Sequence, residues 1–366
     1  MVIAAQHKIY IPIKKILIIQ LGDIGDVVWM IPALGAIKKA YPQAQLMILA
    51  RHPNADVLLD DPRIASVFSV RIERKFKDRL AASFELLCSL RREKFDLVID
   101  LRADDRGAIT SLLTGAPFRA ALFYPGLSWR NRLFTHLVNP PPVKNRVFGA
   151  AEQSLQIIRG LGIKEETSVP RIAVSAESEQ KVRQILAAEN IAADNGWVSI
   201  NPFSRWSYKE WGMDKWRRIA SLVWQEYGLP VVIIGSGEER ERAVKLFSDA
   251  PSPVHNLAGL IALRDIAALL KMSRLHIGVD SAAPHIAAAV GTPTITIYGP
   301  SDWRDWAPPG EKNRVVLPDM NCSPCYKKGC DGGGRSLCLE GIDVRKVQTA
   351  VEEMLGKDLK VSLLPR

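Results

Sequence analysis

Four consecutive apolar residues, Ile16-Leu17-Ile18-Ile19, run into the turn Gly22-Asp23-Ile24-Gly25-Asp26 and then into a helical stretch from Val27 to Ala40. A strand that is apolar at every position must be covered on both faces, as parallel strands in α/β sheets are. The unit then recurs. Strands are expected at Gln45 to Ala50, Ser66 to Val70 and Asp96 to Leu101, with a helix from Asp78 to Arg92. Asn139-Pro140-Pro141-Pro142 interrupts the pattern, a helix follows from Ala150 to Leu161, and Lys164 to Pro170 reads as a linker. Beyond it the alternation restarts. Strands are expected at Trp197 to Asn201, Pro230 to Ile234, Leu275 to Val279 and Thr294 to Tyr298. Helices are expected at Met213 to Tyr227, Glu238 to Asp249, Leu263 to Met272, His285 to Val290 and Val344 to Leu355. Two successive βα domains result.

The length of 366 residues fits two such domains, and 47% hydrophobic with 24% charged residues fits a globular chain. Met1 to Lys14 lacks the apolar stretch of a signal peptide, and no segment has the roughly 18 uninterrupted apolar residues of a membrane span. A cytoplasmic protein is the expectation. The net charge of +10 points to an anionic partner: nucleic acid, an acidic membrane face or a phosphorylated substrate. Basic residues crowd the first half, from Arg71, Arg74, Lys75, Lys77 and Arg79 through Arg91, Arg92 and Lys94 to Arg102, Arg106 and Arg119. Solvated helix faces would account for many of them. No RRM, KH or zinc-finger pattern is present, so nucleic acid is the weakest of the three partners.

Ligands of open α/β sheets bind beyond the carboxyl ends of the strands, where this chain places several polar turns. Val279-Asp280-Ser281-Ala282-Ala283-Pro284-His285 takes a buried strand into a helix through small residues. The free N–H groups of that helix start suit a diphosphate. Ser281 and His285 can add donors, and Asp280 suits orienting the turn. Alternatively, Asp280 or Ser281 simply caps the helix. In Asn201 to Trp211, Ser204, Arg205 and Lys209 can converge on the same phosphates, or Trp206 and Trp211 can anchor a plain surface loop. Gly235-Ser236-Gly237-Glu238-Glu239 is half of a dinucleotide fingerprint. Glu238 or Glu239 can accept from a ribose hydroxyl, or serve the helix N-terminus. Finally, Asp23 and Asp26 lie on the first glycine turn, where a carboxylate can act as general base. No Gly-Lys-Ser/Thr follows to make that turn a P-loop.

Four of the five cysteines, Cys322, Cys325, Cys330 and Cys338, fall within 17 residues. They form a candidate structural zinc site, with disulfides or free thiols as the alternatives.

In order, these motifs resemble glycosyltransferase family 9, the ADP-heptose:lipopolysaccharide heptosyltransferases. The resemblance runs from Lys15 to about Val347. It is carried by Leu-Gly-Asp-Ile-Gly-Asp-Val-Val-x-x-Ile-Pro-Ala-Leu (21–34), Phe-Asp-Leu-Val-Ile-Asp-Leu-Arg (95–102), Lys209-x-Trp211, Gly-Val-Asp-Ser-x-x-x-His (278–285) and Tyr298-Gly299-Pro300. It implies the α/β GT-B fold: two Rossmann-like domains facing across a cleft, 1–168 on the acceptor side and 169–342 for the nucleotide sugar. A terminal segment, 343–366, would pack back on the first domain. It also implies an inverting transfer of heptose from ADP-heptose to the lipopolysaccharide inner core, peripheral to the cytoplasmic face of the inner membrane. Asp26 matches the family's general base, and Asp23 is the less favoured candidate. Ser204, Arg205, Lys209, Glu238, Asp280, Ser281, Ala282 and His285 would bind the donor, and Arg102, Arg106 and Arg119 the acceptor. No metal or cofactor is required for transfer. Ala282 departs from the family's usual glycine, and the cysteine segment is closer to the heptosyltransferase II and III branches. Another nucleotide-sugar donor, or a non-catalytic nucleotide-binding protein of the same shape, is the competing reading. A nicotinamide dehydrogenase fails on the spacing of the first turn.

Overall fold

A computed structural model describes residues 12–71, 75–102, 104–126, 128–139, 149–192, 196–248, 253–330 and 332–356. Arg74, the proline run at 140–142 and both chain ends lie outside them. The chain divides into two compact units between Ala173 and Val174, just past the expected linker.

In the first unit six parallel strands take the order β3-β2-β1-β4-β5-β6. They are β1 (Lys15–Gln20), β2 (Gln45–Arg51), β3 (Ile64–Val70), β4 (Leu97–Asp100), β5 (Phe118–Leu122) and β6 (His136–Val138). Ile16 to Ile19 are wholly buried at its centre. The second unit repeats the arrangement as β12-β11-β10-β7-β8-β9. Its strands are β7 (Val198–Asn201), β8 (Val231–Ile233), β9 (Val254–Asn256), β10 (Leu275–Val279), β11 (Thr294–Ile297) and β12 (Asn313–Val316). In both sheets the order reverses once, between β1 and β4 and between β7 and β10. Such a reversal sends successive loops to opposite sides and opens a crevice at the strands' carboxyl ends.

The expected helix from Val27 to Ala40 is two helices, Ile24–Trp29 and Ile31–Ala40. Pro32 has no N–H for the carbonyl one turn back, so the helix stops at Met30 and restarts. Similarly, the stretch begun at Glu238 opens with a short 3-10 turn, Gly237–Glu239, before the helix Arg240–Phe247. The helix Met213–Tyr227 buries Trp216, Ile219, Val223 and Tyr227 against the second sheet and ends at Gly228, whose left-handed φ of 63° a side chain would oppose. Trp216 meets Trp211 edge to face at 5.1 Å, so Trp211 belongs to the core, while Trp206 stays exposed. The helix Val344–Leu355 also places Val347, Val351 and Leu355 in this second core.

Candidate functional site

In the first unit, the turn after β1 carries Asp26 and the turn after β4 carries Arg102. Asp26 stands in the first turn of the helix Ile24–Trp29, and its Oδ2 accepts from the Asp23 amide at 2.8 Å and from Arg102 Nη1 at 3.1 Å. Burial pushes the Asp26 carboxyl above its ordinary range, against the pull of the Asp23 amide and Arg102. Gly22 makes the arrangement possible, because a Cβ there would stand 2.3 Å from Asp26 Oδ2. Arg102 is steadied in turn: its amide donates to Asp100 Oδ1 at 3.1 Å, and Asp100 is buried beneath Gly107, where a Cβ would collide with its carboxylate. Asp23 faces Arg51 at 3.6 Å.

The other expected acceptor residues separate. Arg106 is exposed on the helix Asp105–Leu113, which starts beside Arg102. Arg119 stands near the amino end of β5, away from the reversal point. Its guanidinium is spent on the carbonyls of Leu133 at 2.8 Å and Ala116 at 2.6 Å. The structure does not bring it to the Asp26 turn.

The second unit repeats the pattern at its own reversal point. Lys209, after β7, places Nζ 2.6 Å from Oδ2 of Asp280, after β10. Asp280 is followed by Ser281, which occupies the N-cap of the helix Ala282–Ala289, yet the Ser281 hydroxyl makes no capping bond. It is buried and has no hydrogen-bond partner among the described residues. The capping alternative is thus met in backbone position only. His285, one turn on, is buried and its pKa is lowered to about 4 by burial, so the ring is neutral near neutral pH. Ala282 begins a right-handed helix, so no positive φ is asked of it and its methyl brings no backbone strain.

The loop after β7 is buckled by a residue that the sequence motifs do not reveal. Glu210 accepts from the Ser204 amide at 3.1 Å and pairs with Arg242 Nη2 at 2.5 Å. Arg242, on the helix Arg240–Phe247, lies over the Phe203 ring at 4.8 Å. The pair therefore ties the Ser204–Lys209 turn to the turn carrying Glu238. Glu238 is exposed, whereas Glu239 closes a capping box by accepting from the Ser236 amide at 2.7 Å. Arg205 is exposed beside Trp206. Tyr298 is a second residue read only as part of a motif: its hydroxyl is fully buried, has no hydrogen-bond partner among the described residues, and lies within electrostatic reach of Asp280.

All five cysteines are free thiols, so the disulfide alternative falls. A structural zinc site is not shown either. Among the described residues no three His, Cys, Asp or Glu side chains come together as a metal set. Cys338 is buried at the helix Leu337–Glu340 while Cys322 is exposed, although the other three thiols lie near enough to add to the burial that raises the Cys338 thiol. What the segment does is tie together the turns that follow β7 and β11. Ser207 donates to the Gly334 carbonyl at 3.1 Å, Ser336 to the Tyr208 carbonyl at 2.6 Å, and Ser323 to the Gly299 carbonyl at 2.5 Å.

A sequence model described as glycosyltransferase family 9 (heptosyltransferase) matches residues 83–334, more than half of the chain. Lipopolysaccharide heptosyltransferase 3 of Escherichia coli is 28% identical over 294 residues, covering 77% of this chain and 84% of its own. Among solved structures, a family 9 glycosyl transferase from Veillonella parvula superposes with a TM-score of 0.79 at 20% identity, over 96% of this chain and 99% of its own. The E. coli ADP-heptose lps heptosyltransferase II does so with a TM-score of 0.74 at 20% identity, over 93% and 98%. The α/β architecture is that of these transferases, the GT-B fold.

Proposed function

Since the chain belongs to glycosyltransferase family 9, the heptosyltransferases, we propose that it moves heptose from ADP-heptose to the lipopolysaccharide inner core with inversion, Asp26 acting as general base. The observation that carries this reading is the Asp26 carboxylate itself, held by the Asp23 amide and Arg102 and raised by burial at the reversal point of its sheet. A raised carboxylate is a stronger base than a solvated one, and two donors keep it ionised and aimed. Asp26 accepts the proton of the acceptor hydroxyl as its oxygen forms the new bond to the anomeric carbon. The bond from that carbon to the diphosphate oxygen breaks on the opposite face, and ADP leaves with the electron pair.

The second unit is suited to the donor. Lys209 and the amides at the start of the helix Ala282–Ala289 offset the charge gathering on the departing diphosphate. Ser281 and Ser204 offer further donors, and Asp280 an acceptor for sugar hydroxyls. Arg102 and Arg106 are assigned to the anionic acceptor, and Arg119 is not. Two of the three relatives named above carry lipopolysaccharide or lps in their names, and a lipid-borne acceptor sets the reaction at the cytoplasmic face of the inner membrane.

The test is calorimetry of the full chain with ADP-heptose, ADP, UDP and GDP, beside a transfer assay on heptose-deficient lipopolysaccharide. Binding of ADP-heptose and ADP with transfer to the core is expected. Tight binding of UDP with none of ADP sinks the donor assignment, and ADP-heptose binding without transfer sinks the catalytic one.

A further inference from the structure

The helix Phe76–Glu93 packs by Leu86 and Leu90 against the first core, yet it leaves Leu80 55% and Phe84 70% exposed. The two are one turn apart and share a face. At its far end this helix meets the helix Asp105–Leu113, where Arg91 Nη1 donates to the Leu113 carbonyl. That second helix is also apolar toward solvent, with Ile109, Leu112 and Leu113 exposed. Arg106 shares a face with Ile109 and Leu113 by helical spacing, and the same helix begins beside Arg102 and hence beside Asp26. Large apolar side chains standing in water at i, i+4 spacing on two touching helices are an interaction surface, not scattered exposure.

The charge around them selects the partner. Along the sequence the stripe lies between Lys75, Lys77 and Arg79 on one side and Arg91, Arg92 and Lys94 on the other, against Asp78, Glu85 and Glu93. A second copy of this chain would set these cations against one another, within a molecule already carrying +10. An anionic lipid surface takes both parts together: leucine and phenylalanine enter the acyl boundary, and long basic side chains stay at the headgroups. No described helix is long and apolar enough to cross a membrane, so the contact is with the surface.

We propose that the face formed by Leu80, Phe84, Ile109 and Leu113, with Lys75 and Lys77 at the start of the first helix, docks this protein on anionic phospholipid. The inference rests on the lipid-borne acceptor proposed above, and it names the face that meets the bilayer. Docked in this way, the helix Asp105–Leu113 leads from the lipid surface to Arg102, so an acceptor anchored by its acyl chains meets Arg106 before Asp26.

The experiment is co-sedimentation of the full chain, without nucleotide or acceptor, on vesicles of phosphatidylglycerol and phosphatidylethanolamine or of phosphatidylcholine alone. Preferential binding to the anionic vesicles, weakened as salt rises from about 0.1 M to 0.5 M, is expected. Leu80→Ser with Phe84→Ser lowers the partition about tenfold or more with an unchanged melting temperature. Lys75→Gln with Lys77→Gln lowers it less and reduces the salt response. Equal binding to both vesicle types overturns the proposal. So does an undiminished partition of the leucine–phenylalanine variant, and so does self-association of the wild type that this variant abolishes. Failure here with transfer to detergent-dispersed acceptor intact removes the docking face and leaves the transferase reading. Vesicle binding without uptake of any nucleotide sugar does the reverse.

Discussion

Lys209 Nζ lies 2.6 Å from Asp280 Oδ2, joining the turns that follow β7 and β10 at the point where the second sheet reverses its strand order. With side chains only 21% and 7% exposed, neither charge is well solvated. A diphosphate entering here competes for the ammonium group with a carboxylate already bound to it. Lys209→Met leaves Asp280 buried without its counter-charge, and a loss of about 2–3 kcal/mol in urea unfolding is expected. Adding Asp280→Asn should restore most of that stability and none of the nucleotide affinity. Recovery of both in the double variant would show that the pair is only structural.

Asp26→Asn should cut transfer by about a thousandfold while calorimetric binding of ADP stays within twofold. Because the active form of the base is the carboxylate, kcat should fall as pH drops through a pKa lying above the ordinary aspartate range. Arg102 pulls that pKa down. Arg102→Gln should therefore move the acid limb of the kcat profile to higher pH, and a shift to lower pH would contradict the assignment.

Gly22→Ala tests the same carboxylate without touching it. The added methyl stands 2.3 Å from Asp26 Oδ2, so the side chain must rotate or the turn must open. Transfer should fall roughly ten- to a hundredfold through loss of base orientation, with nucleotide binding unchanged.

Glu210 is a positioning residue, since it touches Ser204 and Arg242 and is assigned no ligand. Glu210→Ala should raise donor KM about tenfold and lower stability by about 1–2 kcal/mol. Glu210→Gln keeps an acceptor for the Ser204 amide and should recover most of the KM. Equal KM for the two variants would sink the positioning role.

His276 and His285 are buried in the second unit, with pKa values lowered by burial to about 3 and about 4. Each folds as the neutral ring, so the native state binds fewer protons than the unfolded chain below the ordinary histidine value of 6.5. Their stability contribution is complete above pH 6.5 and is lost as pH falls toward 4 and then 3. For His285 alone it amounts to roughly 3 kcal/mol. Urea midpoints should drop steeply between pH 6.5 and about 4.5, and less steeply in His285→Asn.

The legible parts of this chain were those where several residues in a row obey one rule. The strands β1 and β10 show as unbroken apolar runs because both of their faces are covered. The edge strands β6, β9 and β12 are short and only partly buried, so their residues carry no such signature. The helix Ala176–Ala188 buries only Ser178, Val182 and Leu186 and lacks a signature for the same reason. Site residues were legible as turns but not as pairs. Arg102 meets Asp26 across 76 positions and Lys209 meets Asp280 across 71, and only the strand order brings them together. Arg119 stands near the amino end of β5, and a basic residue's sequence neighbourhood does not say at which end of its strand it stands.

Ala282 begins a right-handed helix after Ser281, and this bears on how the family can drift. An anion held at the first position of a helix asks that residue for an N–H and an ordinary φ, and every residue except proline supplies both. Glycine is not a demand of the backbone there. A pattern search keyed to that glycine would discard this chain, whereas one keyed to the lysine, the aspartate and the strand order between them would keep it.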